Sequence, residues 1–271
     1  MTQKEGYTER KHMSTNSGNK LSHRLDRFSP ISLDEMDNVS FLKRADTKYV
    51  FHINRLEELL LRIQKNYQIL EINEARVQNY ETVYFDTAKM DMYFQHHNGL
   101  RSRFKVRARE YINSELYFLE VKTKNNKQVT TKKRISIRKA EMRKVQDCDA
   151  QFLQGKIPFK KEELQASIIN RFSRITFVNS KTPERMTIDF NLIFAGFQSD
   201  TKRELPNACI LETKRNRGDK NRELDIILKE CRIYPMGFSK YCFGVTLINP
   251  ELKNNRFKPR IHQLRKEEII N

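Results

Sequence analysis

The clearest pattern in the chain is a two-residue alternation that recurs in separate stretches. In "FKVRARE", Lys105, Arg107 and Arg109 fall on one side, with Phe104, Val106 and Ala108 on the other. In "LYFLEVKTK", Glu120, Lys122 and Lys124 alternate with Tyr117, Leu119 and Val121. A period of two predicts β-strands, here joined by a short polar break. "TTKKRISIRK" repeats the pattern after the polar turn "KNNKQ", placing Lys132, Arg134, Ser136 and Arg138 on one face.

Other stretches alternate in the same way. "RADTKYVFHI" sets Arg44, Asp46 and Lys48 on one face, and "YETVYFDT" sets Thr82, Tyr84 and Asp86 opposite Val83 and Phe85. "RFSRITFVN" and "ERMTIDFNLIFA" read as a hairpin in which Arg185, Thr187 and Asp189 alternate with Met186, Ile188 and Phe190. "ACILETKRN" puts Glu212 and Lys214 opposite Cys209, Leu211 and Thr213.

Helical spacing is rarer. Ser32 with Glu35 three residues on is a capping-box pattern for a short helix. Asn54 is expected to cap a helix with the stripe Leu56, Leu59, Leu60 and Ile63. Residues 139–170 are expected to be mainly helical, broken at "GKIP", and "DKNRELDIILKEC" to be a helix capped by Asp219. "SKYCFGVTLI" fits a helix beginning at Ser239 or a strand, and "HHNGL" fits a turn at Gly99. The expected class is α+β with a dominant antiparallel sheet.

Composition narrows the function. The 271 residues carry 52 Lys plus Arg against 34 Asp plus Glu, a formal charge of +18. That excess favours an anionic partner: nucleic acid, polyphosphate, nucleotide or an acidic surface. Cys148, Cys209, Cys231 and Cys242 form no CxxC pair, as expected of ordinary thiols in a reducing compartment. No apolar run approaches the roughly 20 residues that span a bilayer, and the polar start lacks a leader core, so a cytoplasmic location is expected. Residues 1 to about 25 read as a disordered tail and residues 251–271 as a basic C-terminal tail.

Any sheet with one solvated face alternates, but it would normally mix Ser, Thr, Glu and Lys. Here Lys105, Arg107, Arg109, Lys122, Lys124, Lys132, Arg134 and Arg138 dominate. Neighbours on such a face stand ~5 Å apart across strands and ~7 Å along them. At an effective dielectric near 20, each like-charge pair costs about 2–3 kcal/mol, which a bound polyanion would relieve. Glu120, Asp189 and Glu212 share faces with the bases. In a phosphate site they are costly unless each neutralises a neighbouring base or holds a divalent cation, since Mg²⁺ commonly binds through one or two carboxylates plus phosphate oxygens. A polar-loop reading accounts for His96 and His97, and a filling role for Met90 and Met92.

The ordered set "KYVF", "VYFDT", "FKVRARE", "FLEVKTK", "TTKKRI", "ERMTID", "ILETK" and "SKY" resembles the VTC (vacuolar transporter chaperone) polyphosphate polymerase domain of the triphosphate tunnel metalloenzymes, from about Phe41 to Val245. The resemblance implies an antiparallel β-barrel tunnel with flanking helices over residues 26–250, Mn²⁺ or Mg²⁺, ATP as donor and a polyphosphate chain in the lumen. By matching motifs, Lys48, Arg107, Arg109, Lys122, Lys132, Arg134, Arg174, Arg185 and Lys240 would act on the phosphates. Lys105, Lys124 and Lys214 would complete the binding set. Glu212 would hold metal, with Glu120 and Asp189 as further carboxylates. The hydrolytic tunnel enzymes open with glutamates in an ExExK strand. "RADTK" has Arg44 and Asp46 in those places, more like the polymerase branch.

Three functions follow for testing: phosphoryl transfer from ATP to polyphosphate, hydrolysis of triphosphates, or metal-free binding of polyphosphate or RNA. No specific nucleic acid is expected, because RNA readers present aromatics on the binding face and the aromatics here are expected mostly opposite the charges. A peripheral partner at a membrane is compatible with the charge.

Overall fold

A computed structural model describes residues 15–37, 44–127, 129–216, 218 and 221–270. In chain order the elements are α1 (Thr15–Leu25), β1 (Pro30–Ile31), α2 (Leu33–Asp37), β2 (Arg44–His52), α3 (Leu56–Ile63), β3 (Tyr67–Leu70) and β4 (Gln78–Thr87). Then come α4 (Asp91–His97), β5 (Arg103–Tyr111), β6 (Leu116–Lys124), β7 (Thr130–Ser136), α5 (Ala150–Leu153), β8 (Leu164–Asn179) and β9 (Glu184–Gly196). The chain closes with β10 (Lys202–Leu205), β11 (Ala208–Asn216), α6 (Arg222–Glu230), α7 (Lys240–Ile248) and α8 (Lys258–Lys266).

The sheet runs β2-β11-β9-β8-β4-β5-β6-β7 with antiparallel neighbours throughout this path. It curls into a half-barrel flanked by helices. β2 and β7 end the path, and no ladder joins them among the described residues.

The convex face carries the apolar half of each alternation. Behind β2, β8, β9 and β11, Phe51, Phe177, Ile188 and Leu211 pack under α3 and α6. The α3 stripe Leu56, Leu59, Leu60 and Ile63 is fully sunk there, and each such side chain contributes roughly 1.5–3 kcal/mol. Behind β4 to β6, Val83, Phe85, Val106, Leu119 and Val121 are roofed by Met142, Val145, Leu153 and Ile157. One end of the concave face is filled by α7, whose Tyr241, Phe243 and Val245 pack on Tyr84, Ile168, Phe194 and Ile210. Gly244 permits this approach: a Cβ there would lie 2.5 Å from Ile168 Cδ1 and 2.6 Å from Phe194 Cδ1. Buried Asp86 ties the plug to the wall. It accepts from the backbone N–H of Thr87 (2.8 Å), Met92 (2.9 Å) and Tyr93 (2.9 Å), and from the Tyr241 hydroxyl.

The strands follow the alternation closely; the helical expectations fare less well. The Ser32–Glu35 box forms, with the Ser32 hydroxyl donating to Glu35 at 2.7 Å. Ser239 caps α7, which settles "SKYCFGVTLI" as a helix. Residues 139–170 are not mainly helical. They hold 3₁₀ turns and the short α5, and from Leu164 they belong to β8, whose Ala166, Ile168 and Phe172 are buried by sheet packing. Asn54 lies in a 3₁₀ turn ahead of α3 instead of capping it. The expected cap Asp219 lies outside the described residues, and Asn221 caps α6 by accepting from the Leu224 N–H at 3.1 Å.

Both expected tails contain structure. α1 occupies residues 15–25; Leu25 is buried against the α3 core, and Lys20 and Arg24 pair with Glu57 at 2.7 and 3.2 Å. Residues 1–14 lie outside the described residues. At the other end, α8 and the residues after it bury Ile261, Leu264, Ile269 and Ile270 in the α7 cluster. In both, apolar residues spaced for one helix face are diluted by basic ones, and the charge hid them. All four cysteines are free, with Cys148 exposed and the others buried. No helix among the described residues is long and apolar enough to cross a membrane.

Candidate functional site: a basic half-barrel lumen

The polar half of the alternation faces the concave side, and strand register assembles it into rungs. Directly paired residues share a face. Lys105, Lys122 and Lys132 make one rung; Tyr84, Arg107, Glu120 and Arg134 make the next. On the opposite wall, Lys48, Glu212 and Thr187 form a rung, as do Asp46, Lys214 and Arg185. Asp189 stands between Ile210 and Arg174. The walls sense each other: the Lys122 amine is lowered by its enclosure first and then by Lys48 of the far wall.

Each of the three expected metal carboxylates sits between two cationic side chains. Glu120 accepts from Arg107 Nε at 2.7 Å and pairs with Lys132. Asp189 takes a two-pronged grip from Arg174, at 2.5 and 2.8 Å, and pairs with Lys240. Glu212 pairs with Lys214 at 2.7 Å and with Lys48. Burial works to raise all three carboxyls, but the adjoining cations outweigh it and hold them well below the usual range. All three are therefore ionised near neutrality.

The cations show the reverse effect. Burial pushes Lys105, Lys132 and Lys240 down to about 8, and neighbouring arginines or lysines add to the fall. Lys214 is lowered for the same leading reason. Burial and then Arg107 lower Arg109, whereas Arg107 and Arg174 are raised because their carboxylate partners outweigh burial. A lumen of charged groups shielded from water strengthens every interaction with an incoming anion.

The remaining expected residues make other contacts. Lys105 donates to Ser239 Oγ at 3.0 Å, fixing the start of α7 to the wall. Lys124 pairs with Arg103 at the strand end and is half-buried. Arg185 donates to the Met36 carbonyl at 2.9 Å, so part of its fork is used at the rim. Arg109 is buried, donates to Thr82 Oγ1 at 3.2 Å, and has no carboxylate partner among the described residues. His96 and His97 end α4 instead of lying in a loop. Burial, with Lys105 and Arg103, pushes the His96 imidazole down to about 2, so it stays neutral.

A row of aromatics also faces the lumen, against the expectation that aromatics lie opposite the charges. Phe118 meets Tyr111 edge-on at 5.7 Å, Tyr111 meets Tyr80 at 5.0 Å, and Tyr80 stacks on Phe172 at 5.0 Å. Arg134 stands over Phe118 at 4.4 Å and Lys240 over Phe172 at 4.3 Å. Arg109 and Arg174 lie 5.3–5.8 Å from both the Tyr80 and the Phe172 centroids. Alternation already put Tyr80 and Tyr84 on the face of Thr82 and Tyr111 on that of Arg109; this signal went unused. Thr187 is a second residue not anticipated as part of the site. Its buried hydroxyl has no hydrogen-bond partner among the described residues and lies beside Glu212.

A divalent ion fits only one of the carboxylates. Glu120 and Asp189 are sealed, with side chains 1% and 4% exposed, whereas Glu212 is 20% exposed. No three His, Cys, Asp or Glu converge on a metal position among the described residues. Of the three, Glu212 is therefore the residue that could hold a divalent ion, since Mg²⁺ commonly binds through one or two carboxylates with substrate phosphates.

A family model for the VTC domain matches residues 43–249. No match emerges among curated proteins. Among solved structures, a candidate adenylate cyclase from Vibrio parahaemolyticus is 11% identical at a TM-score of 0.44, over 74% of this chain and 97% of that one. A candidate adenylyl cyclase from Hippeastrum, described as having a dominant triphosphatase activity, is 12% identical at a TM-score of 0.46, over 76% and 96%. An RNA triphosphatase from Schizosaccharomyces pombe is 8% identical at 0.29, over 96% and 95%. At these scores the functional argument rests on the lumen itself.

Proposed function

The chain belongs to the VTC domain family, and from that premise we propose that it is a metal-dependent polyphosphate polymerase, transferring phosphoryl groups from ATP to a polyphosphate chain. The observation that carries this reading is the lumen: a row of cations running from enclosed Lys105, Arg107 and Arg109 to exposed Lys122, Lys132 and Arg134, in which Glu120, Asp189 and Glu212 are each already paired with two cations. The surplus cations suit a linear polyanion, with one phosphate following another along the rungs.

Phosphoryl transfer demands positioning and charge stabilisation more than covalent chemistry. Arg107, Arg109 and Lys132 would grip the donor's phosphates from one wall. Arg174 and Lys240 would do so from the other, where bidentate Asp189 keeps the Arg174 plane fixed. Lys48 and Lys214, held on Glu212, are placed to turn toward phosphate oxygens. Glu212 would hold the divalent ion, which would supply positive charge against the phosphates when bound. No side-chain nucleophile is needed, since the terminal phosphate of the acceptor attacks.

Incubation of the pure protein with ATP and Mn²⁺ or Mg²⁺, with products resolved on a polyphosphate gel, tests the proposal. The expected result is ADP with a growing ladder. Release of free phosphate without a ladder would make the protein a triphosphatase, and metal-independent binding without turnover would make it a polyanion-binding protein.

A further inference from the structure

Arg134 occupies an unusual position. It lies on β7, the sheet's end strand, and is exposed. Its cross-strand neighbour is Glu120, but both Glu120 oxygens are taken, one by Arg107 and the other by Lys132. Among the described residues Arg134 has no ion pair and no hydrogen bond from its side chain. A long side chain on an end strand, without a partner, would ordinarily sample many rotamers, and ordering it on ligand binding would cost side-chain entropy.

One contact holds it. The guanidinium carbon lies 4.4 Å from the Phe118 centroid, closer than the ring's hydrogen rim allows, so it stands over the face. That is the geometry in which a ring attracts a cation. Phe118 is in turn fixed by the edge of Tyr111, which leads through Tyr80 to Phe172. The far end of the row bears Lys240 over Phe172 at 4.3 Å, but Lys240 also has Asp189.

We propose that Phe118 is a positioning residue: it holds Arg134 in place by its ring face, leaving the whole guanidinium fork free for a phosphate group. The inference rests on the polyphosphate reading of the lumen. An aromatic ring orients an arginine without spending any of its N–H donors, which a carboxylate cannot do. Arg107 and Arg174 give part of their forks to Glu120 and Asp189; Arg134 gives none.

The test uses the full chain labelled with ¹⁵N-arginine. The Arg134 side-chain signal is identified by its loss in Arg134→Lys. It should be displaced by the ring current in the free protein, move to the position of an exposed arginine in Phe118→Leu, and return in Phe118→Tyr. In chelator, calorimetry with tripolyphosphate should show affinity falling about fivefold in Phe118→Leu. The fall should be absent when Phe118→Leu is added to Arg134→Ala. Phe172→Leu should leave the Arg134 signal in place. An Arg134 signal unmoved by Phe118→Leu overturns the proposal. So does an equal loss of affinity in the Arg134→Ala background, which would mean that Phe118 acts through packing alone. If the native protein does not bind tripolyphosphate, the polyphosphate reading falls, while the ring-current shift still decides whether Phe118 sets Arg134.

Discussion

The two walls of the lumen solve the same electrostatic problem differently. On the β5–β6–β7 wall, Lys105, Arg107, Arg109, Lys122, Lys132 and Arg134 surround a single carboxylate, Glu120. On the wall formed by β8, β9, β11 and β2, Arg174, Arg185, Lys48 and Lys214 are interleaved with Asp189, Glu212 and Asp46, and Lys240 reaches in from α7. The first wall is an anion grip whose repulsion is unrelieved until a ligand arrives. The second is close to balanced and holds, besides exposed Asp46, the one of the three expected metal carboxylates that is open to solvent, Glu212. On the proposed function, similar strands with similar alternation would divide binding and metal-linked chemistry between them, a division that can be tested wall by wall.

The largest effect is expected at Glu212. Glu212→Gln should abolish metal-dependent turnover of ATP, by at least about 100-fold, the scale of losing a principal electrostatic contributor. Tripolyphosphate affinity in chelator should be kept or improved, because Lys48 and Lys214 are released to the ligand. Turnover titrated against Mn²⁺, beside calorimetry without metal, separates this from a salt-bridge role; full activity in the Gln variant would sink the metal assignment.

Next come the paired and unpaired arginines of the first wall. Arg107→Ala and Arg109→Ala should each weaken tripolyphosphate binding by roughly 10- to 100-fold, as expected for losing a charge-assisted contact. Only Arg107→Ala should also lower the melting temperature, by about 4–8 °C for a cost near 2 kcal/mol. It strips a hydrogen-bonded partner from buried Glu120, which Arg109 stabilises only through space. Equal melting temperatures for the two variants would erase the distinction.

Ligand binding should then stabilise the fold. Tripolyphosphate at about 100 times its dissociation constant contributes about 2.7 kcal/mol, a rise of roughly 5–10 °C in a chain of this size, and less at high salt. A shift no larger than that from sulfate at equal ionic strength would argue against a built lumen.

The smallest effect is with pH. Lys105, Lys132 and Lys240 sit near about 8, below the ordinary 10.5. Affinity for tripolyphosphate should fall several-fold between about pH 7 and 9 as they lose protons. Stability of the ligand-free protein responds in the opposite sense. Between about 8 and 10.5 the unfolded chain binds more protons at these sites, so their contribution to stability rises with pH across that window. A flat affinity profile would mean that the arginines alone hold the phosphates.

Much of the site was legible because strand period and charge carry the same information. Once Lys105, Arg107 and Arg109 alternate with apolar residues, a core on one face puts them all on the other. What one sequence could not supply was register. Nothing in "LETK" and "KYVF" says that Glu212 stands beside Lys48, or that Glu120 is closed by Arg107 and Lys132 while Glu212 keeps a fifth of its side chain in solvent. The stretch 139–170 failed for a different reason. Buried strands and short helices share compositions, and tertiary packing decided for β8 from Leu164. The aromatic row differs from the expectation because Tyr80, Tyr111 and Phe118 share the faces of Thr82, Arg109 and Glu120, where the charges also lie.

β7 has a further consequence. Among the described residues it is an end strand with an unpaired edge, and most of its residues from Thr130 to Ser136 are exposed. Such an edge is a template for another chain's strand, and lysine is a common means of keeping one away. Lys132, Lys133 and Arg134 occupy the middle of it, so the charges that would greet a phosphate chain also repel a second sheet edge. Neutral variants in this strand remove both functions at once. A polyanion lying along it would do the same to the native molecule, lowering the barrier to edge-to-edge association, an effect that light scattering would register separately from any change in catalysis.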